Sequence, residues 1–268
     1  QPDFFHYRQT FSLMGEAYYE DTDSYEGRSL EVHPAVQRQL TDHIRGGAGV
    51  WFRLADLTDK ILERQETYGL LSLPVNLYFD NANDLLNPTR GWRVSFNTAP
   101  YTDTLGKSPN FLKTRLTAVH YQPIIKDDWL VLAGRGSYGF INGADRDELP
   151  RDELFYAGGG GSVRGFGYQM AGDLVGTNPR GGGSVAEVSF EVRFKVTETI
   201  GFATFIDGGR AYADSVPDLD DDLFWGTGLG ARLYTALGPI RLDFAVPVNP
   251  REDIDAGYQI YVSIGQAF

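Results

Sequence analysis

Ala186-Glu187-Val188-Ser189-Phe190-Glu191-Val192-Arg193-Phe194 alternates apolar and polar side chains without a break. Successive side chains of a β-strand point to opposite faces, so this segment has one oily face and one face of two glutamates, a serine and an arginine. The same alternation recurs along the chain, at Gln9–Tyr19, Arg28–Arg38, Asp42–Leu54, Thr67–Phe79, Trp92–Asn97, Trp129–Phe140, Ile200–Asp207, Trp225–Leu233, Ile240–Val246 and Tyr258–Phe268, and Phe111–Tyr121 is strand-like with two faces that alternation does not separate. Within Tyr258–Phe268, Ile264, Gln266 and Phe268 share a phase. Turn-forming residues separate the segments, and no stretch carries a convincing helical period. Soluble sandwiches use strands of about 5–6 residues. These segments are longer, near the ~9–11 residues of a tilted membrane strand. Charged residues recur on the polar faces, which suits a wet lumen. Trp51, Trp92, Trp129 and Trp225 fall near segment ends, where interfacial aromatic girdles form. The pattern predicts an all-β, antiparallel transmembrane β-barrel with about twelve strands.

Composition narrows the function classes. The 268 residues carry a formal charge of -12, which argues against nucleic acid as a partner. Zero cysteines exclude disulfides, thiolate metal sites and thiol catalysis. No apolar run reaches the ~18 residues of a spanning helix, and Gln1 opens no signal-peptide pattern. The histidines (His6, His33, His43 and His120) show no ligand spacing, and His120 is too little for a barrel-wall Ser–His lipase. No cofactor, metal or catalytic residue is expected. Asp218, Asp220, Asp221 and Asp222 lack the glycine and terminal glutamate of an EF-hand and read as an acidic solvated loop. Gly226, Gly228 and Gly230 fit a dinucleotide-type pattern without its strand–helix context. On the lumenal phase of a strand they suit close packing instead.

One irregular stretch, about 141–183, interrupts the alternation. It contains Gly158-Gly159-Gly160-Gly161-Ser162-Val163-Arg164-Gly165-Phe166-Gly167-Tyr168, a glycine-rich tip that presents one arginine. A guanidinium enters a protein interior only where acceptors wait. Asp207 lies on a polar strand face together with Phe205, offering a carboxylate and a cation–π surface. Glu187 and Glu191 on the neighbouring strand are further candidates. The alternative is an exposed loop whose arginine meets water.

These residues also carry a family resemblance. Ser162-Val163-Arg164-Gly165-Phe166 resembles the loop motif of the BamA/TamA superfamily of outer-membrane assembly and translocation factors. Phe205-Ile206-Asp207-Gly208-Gly209 resembles that superfamily's Phe-x-Asp-x-Gly strand motif, and Asn87-Pro88-Thr89-Arg90-Gly91 is similar to a recurring turn. Gly238-Pro239-Ile240-Arg241-Leu242-Asp243-Phe244-Ala245-Val246-Pro247-Val248 most resembles the TamA branch. Ser263-Ile264-Gly265-Gln266-Ala267-Phe268 resembles the terminal signal of outer-membrane barrels. The resemblance implies a bacterial outer-membrane location and a loop motif Val163, Arg164, Gly165 and Phe166. It implies a lumenal receptor of Phe205, Asp207, Gly209 and Glu187, and a terminal signal at Ile264, Gly265 and Phe268. It further implies the bilayer, client polypeptides and a TamB-like inner-membrane-tethered protein as partners. The family barrel has sixteen strands after periplasmic POTRA domains, and by its count this chain, a barrel domain over 1–268, begins near the fifth strand. Either the chain is a part of such a barrel or it is a short relative that closes with twelve strands. The implied function is assembly or secretion of β-barrel and autotransporter-like clients, with a passive pore or two-partner secretion transporter, its loop a plug, as the alternative.

Overall fold

The computed structural model describes residues 8–125, 128–218 and 222–268. Asp220 and Asp221 of the acidic loop therefore lie outside the described residues. The chain forms β1 (Gln9–Asp21), β2 (Tyr25–Gln39), β3 (Ile44–Gly49), β4 (Trp51–Asp59), β5 (Arg64–Ser72), β6 (Val75–Asp80), β7 (Gly91–Asp103), β8 (Phe111–Ile125) and β9 (Leu130–Asn142). The two-residue β10 (Leu174–Val175) and β11 (Asn178–Pro179) pair within the long loop. They are followed by β12 (Ser184–Lys195), β13 (Ile200–Tyr212), β14 (Phe224–Thr235), β15 (Gly238–Pro247) and β16 (Gln259–Ile264).

Fourteen of these segments make one antiparallel sheet. β3 and β4 are halves of one strand against β2, and β5 and β6 are halves of one strand against β7. Counting each interrupted strand once leaves twelve spanning strands among the described residues, in an up-and-down meander. The interruptions follow from proline, which has no N–H for a ladder. Pro34, Pro74 and Pro100 sit on neighbouring strands at this level. Val50 donates to the Pro34 carbonyl at 3.0 Å, Gly49 to Pro74 at 3.0 Å and Leu73 to Pro100 at 3.2 Å. Among the described residues no pairing joins β1 to β16, so the sheet has two open edges.

Burial is inverted relative to a soluble protein. On β12 the outward Phe190 is 59% exposed, whereas the inward Glu191 and Arg193 are 1% and 3% exposed. The same inversion holds on β16, where Val262 is 71% exposed. Apolar side chains face out and charged ones face in, as a bilayer outside and a polar lumen inside require. Pairing also resolves the two faces of β8, with Lys113, Arg115 and Tyr121 inward and Leu112 and Leu116 outward. Short turns (40–43, 196–199, 236–237) lie at one end and the 143–183 loop at the other. That loop end faces outward from the cell, by the usual asymmetry of such barrels.

The hydrophobic core is assembled around the loop. Leu149, Leu154, Phe155, Val163, Phe166 and Ala171 pack against inward wall residues including Tyr101, Phe111, Val185 and Phe224. Two expectations need correction. Trp51 does not join an outer girdle: it points into the lumen, donates its indole N–H to Glu31 at 3.0 Å and meets Tyr101 edge-on. The last strand stops at Ile264, and Gln266 and Phe268 leave the outward phase. Gly265 adopts φ +90, which turns the chain inward.

Candidate functional site: an arginine inside the barrel

The Gly158–Tyr168 tip folds back into the lumen and places Arg164 at 2% exposure. Its Nε donates to Asp207 Oδ2 at 2.6 Å and its Nη2 to Asp207 Oδ1 at 3.0 Å, a two-point grip that only a planar guanidinium can make. The Arg164 backbone N–H adds a contact to Asp207 Oδ2 at 3.2 Å. Nη1 reaches Glu191 Oε2 at 2.9 Å and Asp243 Oδ2 at 3.0 Å. The Phe205 ring lies 3.4 Å from the guanidinium carbon and closes the remaining face. Desolvation works against the charge, but Asp207 and Glu191 more than offset it and raise the Arg164 pKa.

The receptor is built by strand phase. Glu191 on β12, Phe205 and Asp207 on β13 and Asp243 on β15 all point inward, on strands that the meander brings side by side. Arg193 donates to Glu191 at 2.7 Å, and Arg232 donates to Asp243. Arg241 stands 3.5 Å from Asp243. The four arginines slightly outweigh the three carboxylates, so every acid is matched.

The backbone beside Arg164 needs special residues. Gly165 has φ +104 and donates to the Tyr261 hydroxyl at 3.2 Å, while that hydroxyl donates to the Phe166 carbonyl at 3.1 Å. Any side chain at Gly226 would overlap the Arg164 carbonyl oxygen, and a Cβ at Gly209 would stand 2.9 Å from Val163 Cγ2. Val163 and Phe166 are themselves fully buried, with Phe166 edge-on to Phe224 at 5.3 Å.

Glu187 does not hold Arg164. It takes the Ser162 hydroxyl and Arg115, the latter at 2.6 Å, with Arg135 at 3.6 Å. At the terminus, Ile264 faces out at 68% exposure. Phe268 lies inside, 5.5 Å from the Arg193 guanidinium and 6.0 Å from that of Arg135. Gln266 donates to Asn87 at 2.9 Å across the mouth, and its backbone N–H donates to Leu86 at 3.0 Å.

Sequence reading missed Asp243 as a receptor for Arg164, although its inward phase was visible. It also missed a second polar contact, where Arg151, Asp152 and Glu153 dock on the opposite wall. The signal for that one was a tandem repeat, Arg146-Asp147-Glu148-Leu149 then, after Pro150, Arg151-Asp152-Glu153-Leu154. Among the described residues no group of acids and histidines could hold a metal ion.

A curved antiparallel sheet with an oily exterior, a charged lumen and an inward arginine loop defines a membrane β-barrel of the bacterial outer membrane. The chain belongs to the Omp85 superfamily, whose domain matches residues 1–268. It is 25% identical over 214 residues to the outer membrane protein assembly factor BamA of Nitratidesulfovibrio vulgaris, covering 75% of this chain and 26% of that protein. The chain thus spans about a quarter of the length of this relative. Its fold is similar to the crystal structure of Haemophilus ducreyi BamA lacking POTRA domains 1–3, with a TM-score of 0.79 at 15% identity over 94% of this chain and 57% of that one. CdiB from Acinetobacter baumannii is similar with a TM-score of 0.58 at 14% identity, over 87% of this chain and 41% of that one.

Proposed function

We propose that this chain is the barrel of an outer-membrane assembly or translocation factor of the TamA type, acting without catalytic chemistry on β-barrel and autotransporter-like clients. One observation carries the reading: a long loop folded into the lumen, packed against the inner wall and pinned there by Arg164. In this reading a strained or thin seam between the first and last strands of the whole barrel disturbs the bilayer and offers edges with which a client strand can pair. Arg164, held by Asp207, Glu191 and Asp243 beneath Phe205, pins the loop. A TamB-like tethered protein and periplasmic domains complete such a machine in this reading. The run Gly238–Val248 supports the TamA branch over its relatives.

A passive pore or two-partner secretion transporter is the second reading, and the likeness to CdiB keeps it in view. A pore needs a continuous water column, whereas Leu154, Phe155, Val163 and Phe166 pack inside the lumen against its wall. Two measurements on the same protein separate the readings: single-channel conductance in planar bilayers and client insertion in liposomes. Accelerated client insertion with only small currents supports the assembly factor. Large steady currents without client insertion would overturn it.

A further inference from the structure

The loop carries a second ionic group that has no role in the site described above. Its Arg151-Asp152-Glu153 turn lies against β4 and β8. Arg53 on β4, 3% exposed, donates to Glu153 at 3.0 Å and also to Asp152. Lys113 on β8 meets the other oxygen of Glu153 at 3.1 Å. Arg151, itself 2% exposed, donates to Asp59 at the end of β4 at 2.9 Å and to the Arg180 carbonyl at 2.8 Å. Phe155 and Gly182 exchange backbone hydrogen bonds at 2.9 and 2.8 Å, which ties this first half of the loop to its returning arm. The tandem repeat shows that the docking is selective. Arg146 and Glu148 of the first copy stay in partly or fully exposed positions, whereas Arg151 and Glu153 of the second are buried at 2% each.

The tip uses none of these partners. Arg164 is held from β12, β13 and β15, and Arg135 on β9 donates to the Gly161 carbonyl at 2.7 Å. Among the described residues no ion pair joins the two groups. The run Gly158–Gly161 lies between them. Gly158 is required by the packing: its φ is +108, and a Cβ there would stand 2.6 Å from the Gly167 carbonyl oxygen. Gly161 is not, because its φ lies outside the left-handed region and a Cβ there would meet nothing within 4 Å. Neither a clash nor the backbone asks for glycine at 161, and what glycine supplies there is freedom to turn.

We infer that Arg53, Arg151, Asp152 and Glu153 are positioning residues that hold 146–157 inside the lumen independently of Arg164, with Gly158–Gly161 as the hinge between two separately held halves of the loop. Removing one member of a buried ion group strands its own partners, so the cost falls where those partners sit. Sites that share no partner act additively. The Arg53 group and the Arg164 receptor share no side chain, and loss of one leaves the pairs of the other complete. The tip can then leave Asp207 while Leu154 and Phe155 stay packed on the wall. This division of the loop holds under either reading of the function.

Hydrogen exchange over residues 146–157 and 159–168 of the folded, heat-modifiable protein separates the halves. Arg53→Met alone strands two buried acids, so the first anchor is removed as Arg53→Met/Asp152→Asn/Glu153→Gln and the second as Arg164→Met/Asp207→Asn. The first variant is expected to lose protection about tenfold or more over 146–157 and to stay within about twofold of wild type over 159–168, and the second to do the reverse. Exchange that rises over both stretches in either variant would make the loop one cooperative unit and overturn the independence. Wild-type protection over 146–157 in the first variant would overturn the anchoring. Arg151→Met/Asp59→Asn breaks the same anchor at its other pair and is read in the same way if the triple variant does not fold. Loss of heat-modifiable folding in both would also overturn the proposal, because a separate anchor leaves the rest of the barrel intact, and the same rule applies to the Arg164 variant.

Discussion

Removing the Arg164 guanidinium would leave Asp207, Glu191 and Asp243 buried with only Arg193, Arg232 and Arg241 to compensate. Truncating one member of a buried ion network costs about 3–5 kcal/mol, because the stranded charges cannot reach water. Arg164→Ala is expected to expose the tip to protease in the folded barrel, and Arg164→Lys to do so partially, since an ammonium cannot grip Asp207 at two points. Asp152 gives a pH dependence. Burial pushes its carboxyl up to about 6, with Arg53 and Lys113 opposing and Glu153 reinforcing the rise. Tyr25 on β2 and Tyr156 also face it. Glu153 moves the other way: burial would raise it, but Lys113 and Arg53 hold it below the ordinary glutamate range. A carboxyl with a folded value above its unfolded one favours the docked turn at low pH and loses that contribution as pH rises through the folded value. The Glu153 contribution is lost only at lower pH. Protection of residues 143–157 from hydrogen exchange, corrected for intrinsic rates, is expected to fall between about pH 4 and 6. Asp152→Asn removes the slope.

Strand glycines test the sheet as an element. Gly226 on β14 lies directly beneath the Arg164 carbonyl, so Gly226→Leu forces the tip off the wall. Overpacking of this kind costs about 1–3 kcal/mol, and thermal unfolding followed by heat-modifiable mobility would register it. Gly136 on β9 is the control, because a Cβ there meets nothing within 4 Å. Gly136→Leu faces lipid and should change stability by no more than about 0.5 kcal/mol. At this scale the sequence was largely legible. Period-two alternation marks the strands and the lumenal faces of all but β8, and phase alone puts Asp207 and Phe205 on the inner face. It did not give the ends. Gly265 turns Phe268 inward through a positive φ, which alternation cannot encode. Trp51 sits inside because Glu31 is there to accept its indole N–H, a partner on another strand.

At the scale of the molecule, the described strands form one curved wall with a long loop packed inside it. If the loop plugs the lumen as packed here, the intact protein should pass only small currents in planar bilayers. Arg164→Ala should raise their size or frequency, because releasing the tip withdraws Val163 and Phe166 from the core. What the chain determined by itself was local: which residues form strands, which face of each strand is wet, and that 141–183 is a loop delivering an arginine. Strand phase fixes the face of a side chain but neither its height in the barrel nor its neighbour around the wall. Those depend on register and curvature, set by pairing between segments far apart in sequence. Only the tertiary structure could therefore decide that Asp243 joins Asp207 around Arg164 and that Glu187 serves Ser162. The same holds for Arg151-Asp152-Glu153, which reaches the far wall because the folded loop is long enough to cross the lumen.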